Sequence, residues 1–571
     1  EDDQVDRDLD VGEESGDDGE DCQSLPIGGE CTVKDNTWVR VAGMGEDRRG
    51  DRPKSTMSMK KMCVNSHTKR SDFWKELFPV DFEAMLNVVR EGAARHKDRG
   101  VYTMDEMMAY FCCFYGAAQF SVGTDVWATK RKGMMPPPMF GDILSKDKFK
   151  RYHRYISEGP NSAGKNDPWR EVRWLVRGYN ANRRATIIAS WLIVVDETMW
   201  AWTGQGMPHL SFVKRKPEPL GAEVKNLCDG ISGVMLYLEL QEGKTRMANK
   251  KFCDEEKATT ACTVRLAWGA GLSELDLREV EKIMRLLVGD SWFAGHATAK
   301  ALWEKLGMLF IGNVKTAHSG YPIQQLRWDL SKTERGEHVV YKLKDEHEYA
   351  VGWNDHHFKT FVATGGTTDL GLNAKRKRQT DDGKTYWKEV KRPKVLGHYY
   401  DACGQIDLHN NFRQGQLRLE KFFKTTKWNS RVLTSILSST MVDAFRAWEH
   451  HFPPGEDTGE TSSRLKSFVA TVIEEIRPEE SRGTPTTPEN VCESGCQLEV
   501  IRRVIAQKGK AKGKSVQKQM RCTMCRMRGN KDAKGRAPRT SYRCCIHKKV
   551  FICAAHKGPC LILHREPMGH V

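Results

Sequence analysis

What this 571-residue sequence lacks narrows its class first. No apolar segment follows a basic start near its first residue, so no export signal is expected. The longest apolar runs, such as residues 187–195, are far too short to cross a bilayer, so no membrane association is expected. Large apolar residues are scarce before residue 70. That stretch is acidic up to residue 21 and then rich in Gly, Arg and Lys, so it cannot offset its ordering entropy and is expected to be disordered. Acidic residues are also the minority: 75 Asp and Glu face 91 Lys and Arg, a net charge of +16. The early acidic run makes the rest more basic still, which favours a polyanionic partner. With no export signal, the 17 cysteines read as thiols or metal ligands and not as disulfides.

What is present is enough for real cores. Hydrophobic residues make up 39%, and the length implies two to four domains. Phe73, Trp74, Leu77, Phe78, Val80, Phe82, Met85, Leu86, Val88 and Val89 recur at helical spacing. Thr103 with Glu106 reads as the capping box of a further helix, and residues 142–156 and 169–185 also suit helices. The character changes at Ile187. Short β-branched runs follow at 187–195, 233–240, 283–288, 308–314 and 339–343, with an amphipathic helical stretch at 297–305. Strand, helix, strand in that order predicts a βαβ unit with a parallel pair. Residues 315–395 are polar and irregular, and read as an insertion. Helical periodicity resumes from Asp407 to about His451 and again at 464–476, before a Lys/Gly linker at 507–521.

Three separated aspartates stand out against this frame. Asp196 ends Ile193-Val194-Val195, Asp290 follows Val288-Gly289, and Asp407 follows Gly404-Gln405-Ile406. Carboxylates at strand and helix termini can converge on a pair of divalent cations, a set suited to reaction at phosphorus. Taken singly, each aspartate reads more simply as the cap of a turn or helix; it is the set that points to a site. Glu197, beside the first, should point away if strand alternation holds.

The neighbourhoods of these aspartates resemble the piggyBac transposase family. Val195-Asp196-Glu197-Thr198-Met199 is followed by Lys214-Arg215-Lys216-Pro217 and by a strand ending Cys228-Asp229. Gly289-Asp290-Ser291-Trp292-Phe293 resembles the second motif and Gly404-Gln405-Ile406-Asp407-Leu408 the third, with Lys427-Trp428 where the family has Arg-Trp. The resemblance runs from about Phe73 to His564. It implies an α/β fold: an RNase H-like core with an inserted domain, an all-α N-terminal region and a small C-terminal zinc module. The implied boundaries are a disordered tail at 1–70, a helical dimerisation and DNA-binding region at 71–186, core at 187–314 and 399–452, insertion at 315–398, helix and basic linker at 453–520, and a Cys/His domain at 521–571. The implied activity is cut-and-paste transposition in the nucleus by a homodimer. It would act on double-stranded DNA at terminal repeats and TTAA targets, with Asp196, Asp290 and Asp407 binding two Mg²⁺ or Mn²⁺ ions. The family's additional aspartate is Asn410 here, which can ligate through its amide oxygen but brings no charge. A transposase-derived DNA-binding protein that no longer cleaves is therefore the alternative. Trp200, Trp202 and Trp292 could stack on bases or pack in the core.

The chain closes on Cys522-x-x-Cys525, Cys544-Cys545-x-His547, Cys553-x-x-His556 and Cys560-x-x-x-His564. Thiolate and imidazole pairs suit tetrahedral Zn²⁺. So short a segment with few large apolar residues needs metal to fold. A cross-brace would place Cys522, Cys525, Cys553 and His556 on one ion, and Cys544, His547, Cys560 and His564 on another, with Cys545 able to replace His547. The piggyBac family carries such a domain and binds transposon-end DNA with it; a RING-like or histone-reading adaptor is the other reading of this module. Elemental analysis of the purified chain should find about two zinc ions per molecule, a count set by eight ligands at four per ion. A metal-free chain would contradict the module.

Overall fold

β-Branched runs build a sheet, and amphipathic runs build the helices around it. The computed structural model describes residues 24–478 except 131–136, 162–165, 215, 316–319, 381–382 and 454–460; beyond 478 it describes only short backbone strands between residues 498 and 544. Residues 479–571 form a unit of their own. In it Leu498–Val500 pairs with Tyr542–Cys544, Arg502–Val504 with Ser515–Gln517, and Met520–Arg521 with Arg539–Thr540.

The block expected to be helical is so. It contains α1 (Arg70–Glu76), α2 (Phe82–Arg95), α3 (Met104–Gly116), α4 (Lys146–Glu158) and α5 (Arg170–Thr186). Thr103 caps α3 by accepting from Glu106 N at 3.2 Å. The Glu106 carboxylate does not complete a capping box. It meets Lys148 Nζ at 2.7 Å and accepts from Tyr152 OH at 3.2 Å, a charge-assisted contact that outcompetes the backbone donor.

Among the described residues, eleven strands form one mixed sheet. They are β1 (Glu30–Val33), β2 (Asn36–Val41), β3 (Leu192–Ala201), β4 (Leu210–Phe212), β5 (Leu220–Asp229), β6 (Met235–Leu240), β7 (Leu286–Gly289), β8 (Leu309–Asn313), β9 (His338–Leu343), β10 (Tyr349–Asn354) and β11 (Phe358–Ala363). The order is β1-β2-β9-β10-β11-β8-β7-β3-β5-β4, with β6 also on β5. The pairs β7–β8 and β3–β7 are parallel, and the others are antiparallel. Helix α6 (His296–Leu306) joins β7 to β8, which is the expected βαβ unit. Burial on both faces explains why β3, β7 and β8 read as continuous apolar runs.

Two expectations fail here. Residues 24–69 are not disordered: β1 and β2 form a hairpin that docks on β9 and closes the sheet edge. Trp38 is fully buried there, donating Nε1–H to Gly320 O at 2.9 Å and meeting Tyr321 edge-on. Arg49 Nε donates to Met284 O at 3.1 Å, and its guanidinium lies 4.4 Å from the Trp191 ring. Few apolar residues suffice because the partner surface already exists elsewhere in the chain. Nor is 315–398 wholly an insertion. Its strands β9, β10 and β11 extend the main sheet, and only the ribbon of Ala374–Gln379 and Thr385–Val390 forms a separate two-stranded sheet.

These contacts make Trp38→Ala costly, by about 3–5 kcal/mol of unfolding free energy. Urea denaturation followed by tryptophan fluorescence measures it. A loss below about 0.5 kcal/mol, the range of ordinary surface changes, would return the segment to the disordered reading.

Candidate active site

The site forms where the parallel strands end. Val195 of β3 pairs with Gly289 of β7, so Asp196 lies one step past the end of β7, beside Asp290. Asp196 does not end its strand, as the sequence suggested. β3 continues to Ala201 because β5 pairs with it along that length. A side chain at position 289 would run into Phe293 and Phe310, so glycine fits there, and the chain turns after it, with Asp290 O accepting from Phe293 N at 3.1 Å and Ala294 N at 2.9 Å. Asp290 Oδ1 accepts from Trp292 N at 3.0 Å, which fixes the carboxylate at the turn.

One oxygen each from Asp196, Glu197 and Asp290 lie within 4.8 Å of one another. Asp196 and Glu197 are buried and Asp290 is half-buried. Glu197 thus departs from expectation. Alternation fixes the direction of a Cβ, not the place of a carboxylate oxygen three bonds beyond it. Lys216 Nζ and Lys225 Nζ each stand 3.8 Å from a Glu197 oxygen. Burial pushes the Asp196 carboxyl far above the usual carboxylate range; Lys216 opposes this, and Glu197, Asp290 and Asp407 push it further. Among the described residues, two lysines, Lys216 and Lys225, face these three carboxylates.

Asp407 arrives from another element, the short helix α7 (Gln405–Asn410). Its side chain is 67% exposed and reaches Lys216 Nζ at 3.5 Å. Lys216 also donates to Glu197 O at 3.3 Å, so its ammonium bridges the close trio and the third aspartate. Asn410 Oδ1 lies 3.5 Å from Arg413 Nη2, which donates to Met199 O at 3.1 Å and whose guanidinium pairs with Glu420. Asp229, at the end of β5, belongs to the scaffold: it accepts from Ser190 N at 2.6 Å and from Ser232 N and Oγ at 2.8 and 2.9 Å. Trp200 and Trp202 pack in the core, whereas Trp292 is 39% exposed with Lys225 Nζ 3.5 Å from its ring centre. Of the zinc ligands, Cys522, Cys525, Cys545, His547, Cys553, His556, Cys560 and His564 lie outside the described residues; Cys544 closes a strand of which only the backbone is described.

A buried charge cluster anchors α7. His409, two residues past Asp407, places Nε2 3.1 Å from Asp443 Oδ1. Asp443 is fully buried in α8 (Trp428–His451). It also accepts from Arg183 Nη2 at 2.7 Å, from Met235 N at 2.9 Å and from Tyr179 OH. Burial works against its charge, yet Arg183, His409 and Tyr179 hold its carboxyl below the usual range. Four elements, α5, β6, α7 and α8, meet on one carboxylate. A lone acid inside Thr440-Met441-Val442-Asp443-Ala444-Phe445 was the sequence signal for it, as Lys225 inside an apolar strand was for the second lysine.

Comparison with known proteins then bears on this geometry. A family profile described as Transposase IS4 matches residues 62–445. No curated protein matches the chain in sequence. Among solved structures, the cryo-EM structure of a piggyBac transposase synaptic complex with hairpin DNA aligns at a TM-score of 0.53 and 15% identity, over 76% of this chain and 85% of that one. At that identity the likeness is one of fold. No helix among the described residues is long and apolar enough to cross a membrane.

Truncating Asp443 leaves Arg183 buried without its carboxylate. Asp443→Ala is expected to cost about 3–5 kcal/mol in urea denaturation. Asp443→Asn, which keeps an acceptor for Met235 N, should cost less. Equal losses for the two would contradict the charge argument.

Proposed function

The chain belongs to the IS4 transposase family, in its piggyBac-type branch, and from that premise we propose that it is a metal-dependent DNA transposase of the cut-and-paste kind, with Asp196, Asp290 and Asp407 as its acidic triad. The carrying observation is the convergence of Asp196 and Asp290 from neighbouring parallel strands, with Glu197 between two lysines at the same spot.

The residues fit divalent metal. Every donor is a hard oxygen, carboxylate or amide, and burial with the neighbouring carboxylates raises the Asp196 carboxyl despite Lys216, an environment that a cation would relieve. Asp196 and Asp290 would hold the Mg²⁺ or Mn²⁺ pair, with Asp407 as third ligand and Asn410 as a neutral donor. When bound, such a pair activates an attacking oxygen and stabilises the leaving one at phosphorus. The chain's own contribution is positional. β3 and β7 fix two carboxylates by register, and the Asp443 cluster fixes the helix that brings the third. Lys216, now shared between Glu197 and Asp407, supplies charge that a phosphate could also take up.

The order β6-β5-β3-β7-β8, antiparallel and then parallel, supports reading this part of the sheet as an RNase H-like core. The matched piggyBac transposase holds hairpin DNA in a synaptic complex, which supports DNA as partner here. Double-stranded terminal repeats, TTAA-like targets, a homodimer joining two ends and action in the nucleus are what the family resemblance implies. The Cys/His segment at 521–571 would bind two Zn²⁺ ions and place basic residues from Lys508 to Lys534 on DNA phosphates. The alternative, a DNA-binding protein that has lost cleavage, draws support from Asn410 and its arginine contact, and from the exposure of Asp407.

A strand-nicking assay with Mg²⁺ on DNA carrying the inverted repeats that flank the gene separates the two. Wild type should nick; Asp290→Ala should bind as well and not nick. Wild type that binds and never nicks would favour the second reading.

A further inference from the structure

A second surface carries chemistry that the acidic site does not use. Helix α4 borders an open cleft of about 610 Å³ whose other walls are residues 123–127 and 422–427. Its floor is aromatic. Phe149 is buried and stacks with Phe423 at 5.3 Å and 27°, and with His153 at 6.1 Å and 12°. Trp127 and Phe422, both half-buried, line the same cleft. Its rim is cationic. Lys146, Lys150 and Arg154 recur every four residues along the exposed face of α4, and Lys424 and Lys427 stand on the other wall. Among the described lining residues the one carboxylate is Asp125, 3.5 Å from Lys146; Glu158, just outside, meets Arg154 at 2.8 Å and Lys427 at 3.8 Å.

Flat rings call for a flat apolar face, and the lysines call for anionic groups within a few ångströms of it. Within a duplex each base face is covered by its stacked neighbours, so the helix offers phosphates and groove edges but no free π-face. An unpaired nucleotide offers both: its base presents a π-face and its phosphodiester an adjacent charge. We infer that the cleft between α4 and residues 422–427 binds an unpaired nucleotide of the DNA substrate, its base against the aromatic floor and its backbone along the lysine rim. The inference rests on the transposase reading in taking DNA as the polyanion, but uses none of the triad.

Phe422 is the residue to change, because it lines the cleft, is partly exposed and lies outside the metal-binding set. The probe is a fluorescein-labelled oligothymidine of about 12 nucleotides, a length within the usual single-strand site sizes, against a duplex of the same length, with the full chain in fluorescence anisotropy. Phe422→Ala should weaken oligothymidine binding about tenfold, the worth of one stacked base, and leave duplex binding within about twofold. Phe422→Trp should restore it, which a folding defect would not allow. Lys150→Ala with Lys424→Ala should flatten the slope of log affinity against log salt by roughly 1.4 on the single strand. With 5-iodouracil in the oligonucleotide, photocrosslinks should map to Trp127 or Phe422. Unchanged affinity in Phe422→Ala, equal losses on both probes, or crosslinks confined to other segments would overturn the inference. If wild type nicks repeat DNA and Phe422→Ala binds oligothymidine normally, only the cleft assignment falls. If wild type binds neither probe, the transposase reading falls with it.

Discussion

Like charge gathered in a dry place governs this structure. Register puts Asp196 and Asp290 side by side, and Glu197 adds a third carboxylate within 4.8 Å. Two unit charges that close repel by about 4 kcal/mol at the effective dielectric of a partly buried site. Lys216 and Lys225 flank Glu197 and offset part of this, while burial and the neighbouring carboxylates push the Asp196 carboxyl well above the usual carboxylate range. A scaffold that keeps such a cluster is suited to receiving external positive charge, and that requirement links the strand ends to the proposed chemistry.

The second constraint is that the third carboxylate comes from a different part of the chain. α7 is short, and Asp407 on it is largely solvent-exposed, so the helix cannot be held through that side chain. It is held through His409 and Asp443 instead, in a cluster that also fastens α5 and β6. Breaking one buried partner of such a cluster strands another charge, so the four elements stand or fall together.

Much of this was readable from residues alone because it is local. β-Branched runs marked β3, β7, β8 and β9, the 297–305 stretch marked α6, and Thr103 marked the start of α3. Three things were not local. The hairpin Glu30–Val41 is polar and short, and its partner strand lies some 300 residues away, so no window of sequence could reveal the pairing. β10 and β11 sit in a stretch that reads as an insertion, and only the register of β11 with β8 and of β10 with β11 draws them into the main sheet. The position of Glu197 depends on lysines brought by residues 216 and 225, not on its own strand alternation. At the site itself the sequence singled out Asp196, Asp290 and Asp407. It did not show that two converge closely while the third meets them through a lysine.

Manganese binding tests the central claim most directly. In electron paramagnetic resonance of the full chain titrated with Mn²⁺, the account predicts a bound pair with mutual spin broadening, lost in Asp196→Asn and in Asp290→Asn. Binding that is absent in the wild type, or that survives both substitutions unchanged, would contradict it.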